Sequence, residues 1–185
     1  MIYTFVYELI YTREDQILNK SLILIGMPGV GKTTIGKRVA ERLKVEFIDT
    51  DNLIIDVAGK PLQKIISEDG MEAFKDLECK VLSKLELGAN AVISTGGSAV
   101  LYEEAMMHLK TLGKIVFLDA DLPLIKKRIW NADSRGLAFV GDSEDKLLDI
   151  YMQREPLYYK YSDIRVPIRG KTVAEISKEI LDAID

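Results

Sequence analysis

Leu22-Ile23-Leu24-Ile25 runs directly into Gly26-Met27-Pro28-Gly29-Val30-Gly31-Lys32-Thr33, and the reading of this stretch decides the fold. A continuous apolar run suits a strand buried on both faces. The segment after it matches G-x-x-x-x-G-K-[ST], a phosphate-binding loop between a strand and a helix. Its glycines let the backbone curl round phosphates without a side-chain clash. Lys32 has the reach for β- and γ-phosphates, and Thr33 carries the hydroxyl that ligates Mg²⁺ in such loops. The first amides of the following helix favour the same anion. A plain structural turn requires neither Lys nor Thr after the last glycine, so the stretch predicts a site for ATP or GTP.

The chain has 185 residues and 48% apolar content, which suits one compact α/β domain. Net charge is −4 with the signs mixed, and no polybasic tail or stripe points to nucleic acid. Cys79, the sole cysteine, excludes an internal disulfide and a Cys-based metal cluster within the chain, and reads as a core or semi-buried thiol. His108 is the only histidine, leaving little material for a triad or zinc site; a helix-end or surface role is expected. No apolar run reaches the ~18–20 residues of a membrane span. The aromatic start, Met1 to Tyr11, lacks the basic flank and cleavage site of a signal peptide. The expected compartment is the cytoplasm. The run itself reads either as an extra edge strand or as a packed arm, with self-association open if it is exposed.

Beyond the first strand, the pattern predicts helix 32–43, strand 45–48, and short helices 51–58 and 62–66 separated by Gly59-Lys60-Pro61. A longer helix, 70–87, is expected to close at Gly88. Strands follow at 91–95, 115–118 and 164–167, with helices at 103–109, 122–130, 143–160 and 173–184. Residues 131–142 mix Asn, Asp, Ser, Arg and Gly and suggest a mobile lid. Strand–helix alternation at this spacing implies right-handed βαβ units and a parallel sheet. Ligands then gather at the carboxyl ends of the strands, where 26–33, 49–51 and 95–98 all fall.

Asp49 and Asp51 are one residue apart, so in an extended segment they point the same way. One is placed to hold Mg²⁺ near Thr33 and the other to bind or deprotonate an acceptor hydroxyl. A helix N-cap explains the same residues, and both jobs can coexist. Gly96-Gly97-Ser98 offers backbone amides and close approach to a ligand. Lys75, Arg128, Arg135 and Arg154 are candidate cations for an anionic substrate, and Arg135 in the lid suits a transferring phosphoryl group. Tyr158, Tyr159 and Tyr161 read as packing residues. Neither an Asn-Lys-x-Asp segment after a later strand nor an Asp-x-x-Gly switch after the second or third is present, which argues against a GTPase. A small-molecule kinase fits the length.

Taken in order, these pieces resemble the shikimate kinase family. The resemblance rests on Gly26 to Gly36, Phe47-Ile48-Asp49-Thr50-Asp51, Gly70 to Glu78 with its Phe74-x-x-x-Glu78, Ile93-Ser94-Thr95-Gly96-Gly97, and Arg154-Glu155-Pro156-Leu157-Tyr158, and runs from about Ser21 to Asp182. It implies a P-loop three-layer αβα sandwich with a five-stranded parallel sheet. It implies one kinase domain over 21–185, with a substrate-binding helical region near 52–80 and a lid near 131–142. Residues 1–20 stand outside as an arm or extra edge strand. The implied reaction moves the ATP γ-phosphoryl to the 3-hydroxyl of shikimate, in aromatic amino-acid biosynthesis, and many members act as monomers. The implied ATP contacts are Gly29, Val30, Gly31, Lys32, Thr33, Thr34, Arg135 and Arg169. Thr33 and Asp49 serve Mg²⁺, while Asp51, Lys75, Gly96, Gly97 and Arg154 take the acceptor. Lys32, Asp51 and Arg135 carry the catalytic roles.

Three departures bear on the acceptor. The family has Arg where this chain has Lys75, a loss of the bidentate fork. It has a third glycine where this chain has Ser98, whose Cβ is expected to crowd the site or change the backbone. The lid Arg-Pro is here Arg135-Gly136, which makes closure less ordered. These changes predict weaker shikimate binding or a related polyol or hydroxy-acid acceptor. A nucleotide-binding module without turnover is a further alternative, against which the intact Lys32, Thr33, Asp49 and Asp51 argue.

Overall fold

A computed structural model describes residues 20–130 and 144–184. The N-terminal arm, the expected lid with Arg135 and Gly136, and Asp185 lie outside the described residues.

Strand β1 (Ser21–Ile25) is buried along its whole length and pairs on both sides with parallel neighbours, β3 (Ala91–Ser94) and β4 (Gly113–Asp119). A strand so placed has no solvent face, which is why it reads as an unbroken apolar run. β2 (Glu46–Asp49) and β5 (Ile164–Pro167) form the edges, giving the all-parallel order β2-β3-β1-β4-β5. The helices between them are α1 (Lys32–Leu43), α2 (Thr50–Ala58), α3 (Met71–Ser83), α4 (Glu103–Leu112), α5 (Leu122–Trp130), α6 (Glu144–Tyr161) and α7 (Val173–Ile184). This is the three-layer α/β sandwich with five parallel strands that the sequence predicts. Among the described residues, no helix is long and apolar enough to cross a membrane.

The main core joins both faces of β1, β3 and β4 to apolar stripes such as Ile35, Val39 and Leu43 of α1 and Ile176 and Ile180 of α7. A second cluster is built on Ile54, Ile65 and Phe74. It ties α2, α3 and the turn between them into a separate helical unit. That turn begins at Pro61, whose carbonyl accepts from the amides of Lys64 and Ile65, and widens into a π-helical Ile65–Asp69.

Several boundaries differ from expectation: β4 begins at Gly113, two residues early, and α4 runs on to Leu112. α3 ends at Ser83 rather than near Gly88. Leu85 and Leu87 leave the helix axis to pack on the main core, and the Leu85 carbonyl meets His108 Nε2 at 2.8 Å. His108 therefore ties α4 to the end of α3. β2 runs one residue later than predicted, so Asp49 ends the strand and Asp51 sits in the first turn of α2. The two carboxylates do not share one face of an extended segment; the turn into the helix brings them together.

Candidate active site

The loops after β1, β2 and β3 converge on one cavity of about 590 Å³. The phosphate loop supplies Pro28, Gly29, Gly31, Lys32, Thr33 and Thr34; the β2–α2 junction supplies Asp49 and Asp51. The β3 loop adds Ser94 to Ser98, while Phe74 and Glu78 come from α3, Ile129 from α5 and Arg154 from α6. All three strand ends singled out in the sequence therefore line a single space.

Gly31 caps α1 with φ 93°, a left-handed conformation that a side chain resists. Lys32 is buried and its Nζ donates to the carbonyls of Gly26 (2.8 Å) and Met27 (3.0 Å). Burial pulls its pKa down to about 8, against the opposing pull of Asp51 and Asp49. Asp49 does two jobs at once. Its Oδ1 accepts from the Asp51 amide (3.2 Å), capping α2, and its Oδ2 accepts from Thr33 Oγ1 (2.9 Å). Burial, then the Asp49 charge, pushes the Asp51 carboxyl above its ordinary range, and Lys32 pulls the other way.

Arg154 and Tyr158 lie one turn apart on α6 and serve the same wall. Arg154 Nε is buried without a hydrogen-bond partner, although the residue lines the cavity. Tyr158, fully buried and stacked on Phe117 at 5.1 Å between ring centroids, donates its hydroxyl to the Gly97 carbonyl at 2.7 Å. Its packing role thus includes holding the glycine loop.

Not every sequence-predicted residue reaches the cavity. Lys75 Nζ pairs with Glu72 at 2.6 Å on the surface of α3 and does not line the space. Arg169 pairs with Asp121 and is largely exposed, also away from the lining. Val30 is buried, and its carbonyl accepts from Arg128 Nη1 at 2.7 Å, so Arg128 braces the phosphate loop from behind. Arg135 lies outside the described residues.

Ser98 corrects an expectation. Its backbone is ordinary (φ −91°, ψ −12°), so the Cβ imposes no unusual conformation, and the hydroxyl turns to Glu78, donating to Oε2 at 2.6 Å. Tyr102 donates to the same oxygen at 2.9 Å. Glu78 is wholly buried and its other oxygen, Oε1, has no partner. Sequence reading gave Glu78 no role in the site, although a signal was present: Phe74, Glu78 and Leu82 form the buried stripe of α3, with a carboxylate in the middle of it. A Cβ on Gly96 would stand 2.2 Å from Glu78 Oε1 and 3.5 Å from Asp51 Oδ1, which explains why that position is glycine.

Comparison with known proteins agrees with this geometry. A family model described as shikimate kinase matches residues 28–185. A shikimate kinase of Caldanaerobacter subterraneus is 35% identical over 164 residues, covering 89% of this chain and 95% of that one. The solved structure of a shikimate kinase from Acinetobacter baumannii in complex with shikimate superposes with a TM-score of 0.81 at 30% identity, over 89% of this chain and 92% of that one. A gluconokinase from Sinorhizobium meliloti, at 17% identity and TM-score 0.53 over 91% of this chain and 93% of its own, shares the fold alone. With the phosphate loop, the Asp49–Asp51 turn, the Gly96-Gly97 loop and Arg154 around one cavity, and a family match over most of its length, the chain belongs to the shikimate kinase family.

Proposed function

We propose that this protein transfers the γ-phosphoryl group of ATP to the 3-hydroxyl of shikimate, giving shikimate 3-phosphate and ADP. The observation that carries the reading is the cavity lined both by the phosphate loop and by Arg154, whose buried Nε lacks a partner. A buried, unpaired guanidinium nitrogen calls for an anionic acceptor group, and a carboxylate matches its fork.

Lys32 holds the β- and γ-phosphates after leaving the Gly26 and Met27 carbonyls. The phosphate charges replace the solvation it lost on burial. Thr33 Oγ1 and Asp49 Oδ2 are hard oxygen donors 2.9 Å apart, a pair that would hold Mg²⁺. When bound, Mg²⁺ supplies neutralisation of the charge between the β- and γ-phosphates. Gly29, Gly31 and Thr34 complete the nucleotide side.

Asp51 orients the acceptor hydroxyl and takes its proton. Its raised pKa makes it a better proton acceptor than an ordinary carboxylate. The 3-oxygen forms a bond to the γ-phosphorus, the bond to the bridging oxygen of ADP breaks, and the proton leaves through Asp51. Gly96 and Gly97 bring the backbone close to the acceptor ring, and Arg154 clamps its carboxylate. Lys75 adds to that clamp by leaving Glu72, an exposed pairing that holds it only weakly. The reading makes residues 21–185 one kinase domain with its acceptor region over 52–80, where a separate small core supports the helices. It sets the activity in the cytoplasm, with the chain acting as a monomer.

Phosphorus NMR of a mixture with MgATP and shikimate tests this. ADP and a new phosphomonoester should grow in equal amounts, and Asp51→Asn should stop both. ADP accompanied by free phosphate, with no phosphomonoester, would overturn the reading.

A further inference from the structure

The Glu78 carboxylate, carried by α3, meets the loop after β3 and Tyr102 at the start of α4, yet none of the roles above uses it. Its Oε2 collects two hydroxyl donors, Ser98 at 2.6 Å and Tyr102 at 2.9 Å. Its Oε1 is buried, unpartnered, and pressed against Gly96, so close that a methyl group there would overlap it. Lys75, one turn earlier on the same helix, points its charge at Glu72 instead. Among the described residues, Asp51 of α2, Arg154 of α6 and Lys32 of α1 are the other charged groups that bear on Glu78. Burial drives the carboxyl towards its neutral form, and the two hydroxyls act to keep it ionised.

A buried carboxylate with a free rotor would not hold a loop in place. With Oε2 pinned from two sides, the rotor is fixed, and Oε1 becomes a rigid stop against Gly96. Ser98 and Gly96 belong to the same loop, so Glu78 grips that loop at two points. Tyr158 grips it at a third, through the Gly97 carbonyl. Tyr102 does not line the cavity; its path to the site runs through Glu78.

We propose that Ser98 and Tyr102 are positioning residues for the acceptor: acting through Glu78, they set the Gly96-Gly97 backbone against α3 and thereby the affinity for the anionic, hydroxylated acceptor. Ser98 is then not a blemish in a glycine loop but the donor that locks it. The inference rests on the phosphotransfer reading above.

Tyr102→Phe and Ser98→Ala each remove one donor and leave the packing shape in place. The measurements are the shikimate Kd by calorimetry in the presence of MgADP, the MgADP Kd alone, and the steady-state kcat and KM values. Loss of one hydrogen bond to a charged group should raise the shikimate Kd and KM about tenfold in each variant. MgADP affinity and kcat should stay within about twofold, because the phosphate loop and Asp51 do not depend on either hydroxyl. Ser98→Thr, which keeps the hydroxyl, should return most of the affinity. Unchanged shikimate affinity in folded Ser98→Ala and Tyr102→Phe overturns the inference, as does an equal weakening of MgADP. If Tyr102→Phe fails to fold, Ser98→Ala decides alone. A wild type that does not bind shikimate overturns the phosphotransfer reading itself; a wild type that binds, with both variants unchanged, overturns this inference only.

Discussion

Replacing Gly96 by alanine probes the tightest point of the site. The added Cβ would lie 2.2 Å from Glu78 Oε1 and 3.5 Å from Asp51 Oδ1. The first distance falls roughly 1 Å or more short of a tolerable contact. A flexible carboxylate would swing aside, but this one is buried and its second oxygen is held by Ser98 and Tyr102. Moving it breaks or bends those bonds, each to a charged group and worth about 1.5–3 kcal/mol. We expect a stability loss of about 2–4 kcal/mol, or roughly 5–15 °C in Tm for a domain of this size. Differential scanning calorimetry reads the loss. Glu78→Asp in the same chain retracts the carboxylate by one methylene and should return part of it. A Gly96→Ala protein melting within about 1 °C of wild type, with unchanged shikimate affinity, refutes the packing argument.

Other consequences concern the charges. Burial draws Lys32 down to about 8, and MgATP requires its charged form, so binding takes up a proton once the pH exceeds that value. The apparent Kd for MgATP should be level near pH 7 and rise by up to about tenfold per pH unit above 8; a level profile to pH 9.5 contradicts the buried, partly neutral lysine. Asp49→Asn removes charge from the Thr33 pair while its Oδ1 still caps α2, so the Mg²⁺ concentration for half-maximal rate should rise about tenfold or more with little change in Tm. Lys75→Arg restores a fork and should lower the shikimate KM several-fold; an unchanged KM means that position 75 does not meet the carboxylate.

Much of this architecture is legible from residue type and spacing because it rests on local rules. β1 is an unbroken apolar run because it lies between two other strands. The phosphate loop declares itself because Gly31, Lys32 and Thr33 have no cheaper reason to stand together. Asp49, Gly96 and Gly97 are legible because strand ends in a parallel sheet meet on one side, whereas Arg154, within α6, is reached through the family resemblance. The misreadings come from contacts between segments far apart in the chain. Nothing near Gly88 reveals that Leu85 and Leu87 will leave the helix for the main core. Nothing near Ser98 reveals a carboxylate 20 residues earlier in the chain waiting for its hydroxyl. Lys75 is a different case: Glu72 stands at i−3, so the competing partner was visible on the helix itself. Arg169 has its partner, Asp121, just past the neighbouring strand β4, and only the fold brings them together.

The central claim is most directly tested by shikimate-dependent ADP release with MgATP, run beside quinate, gluconate and an acceptor-free control. The account predicts robust turnover on shikimate, little on the other two, and loss of the shikimate signal in Asp51→Asn. ADP release no faster with shikimate than without any acceptor would contradict it.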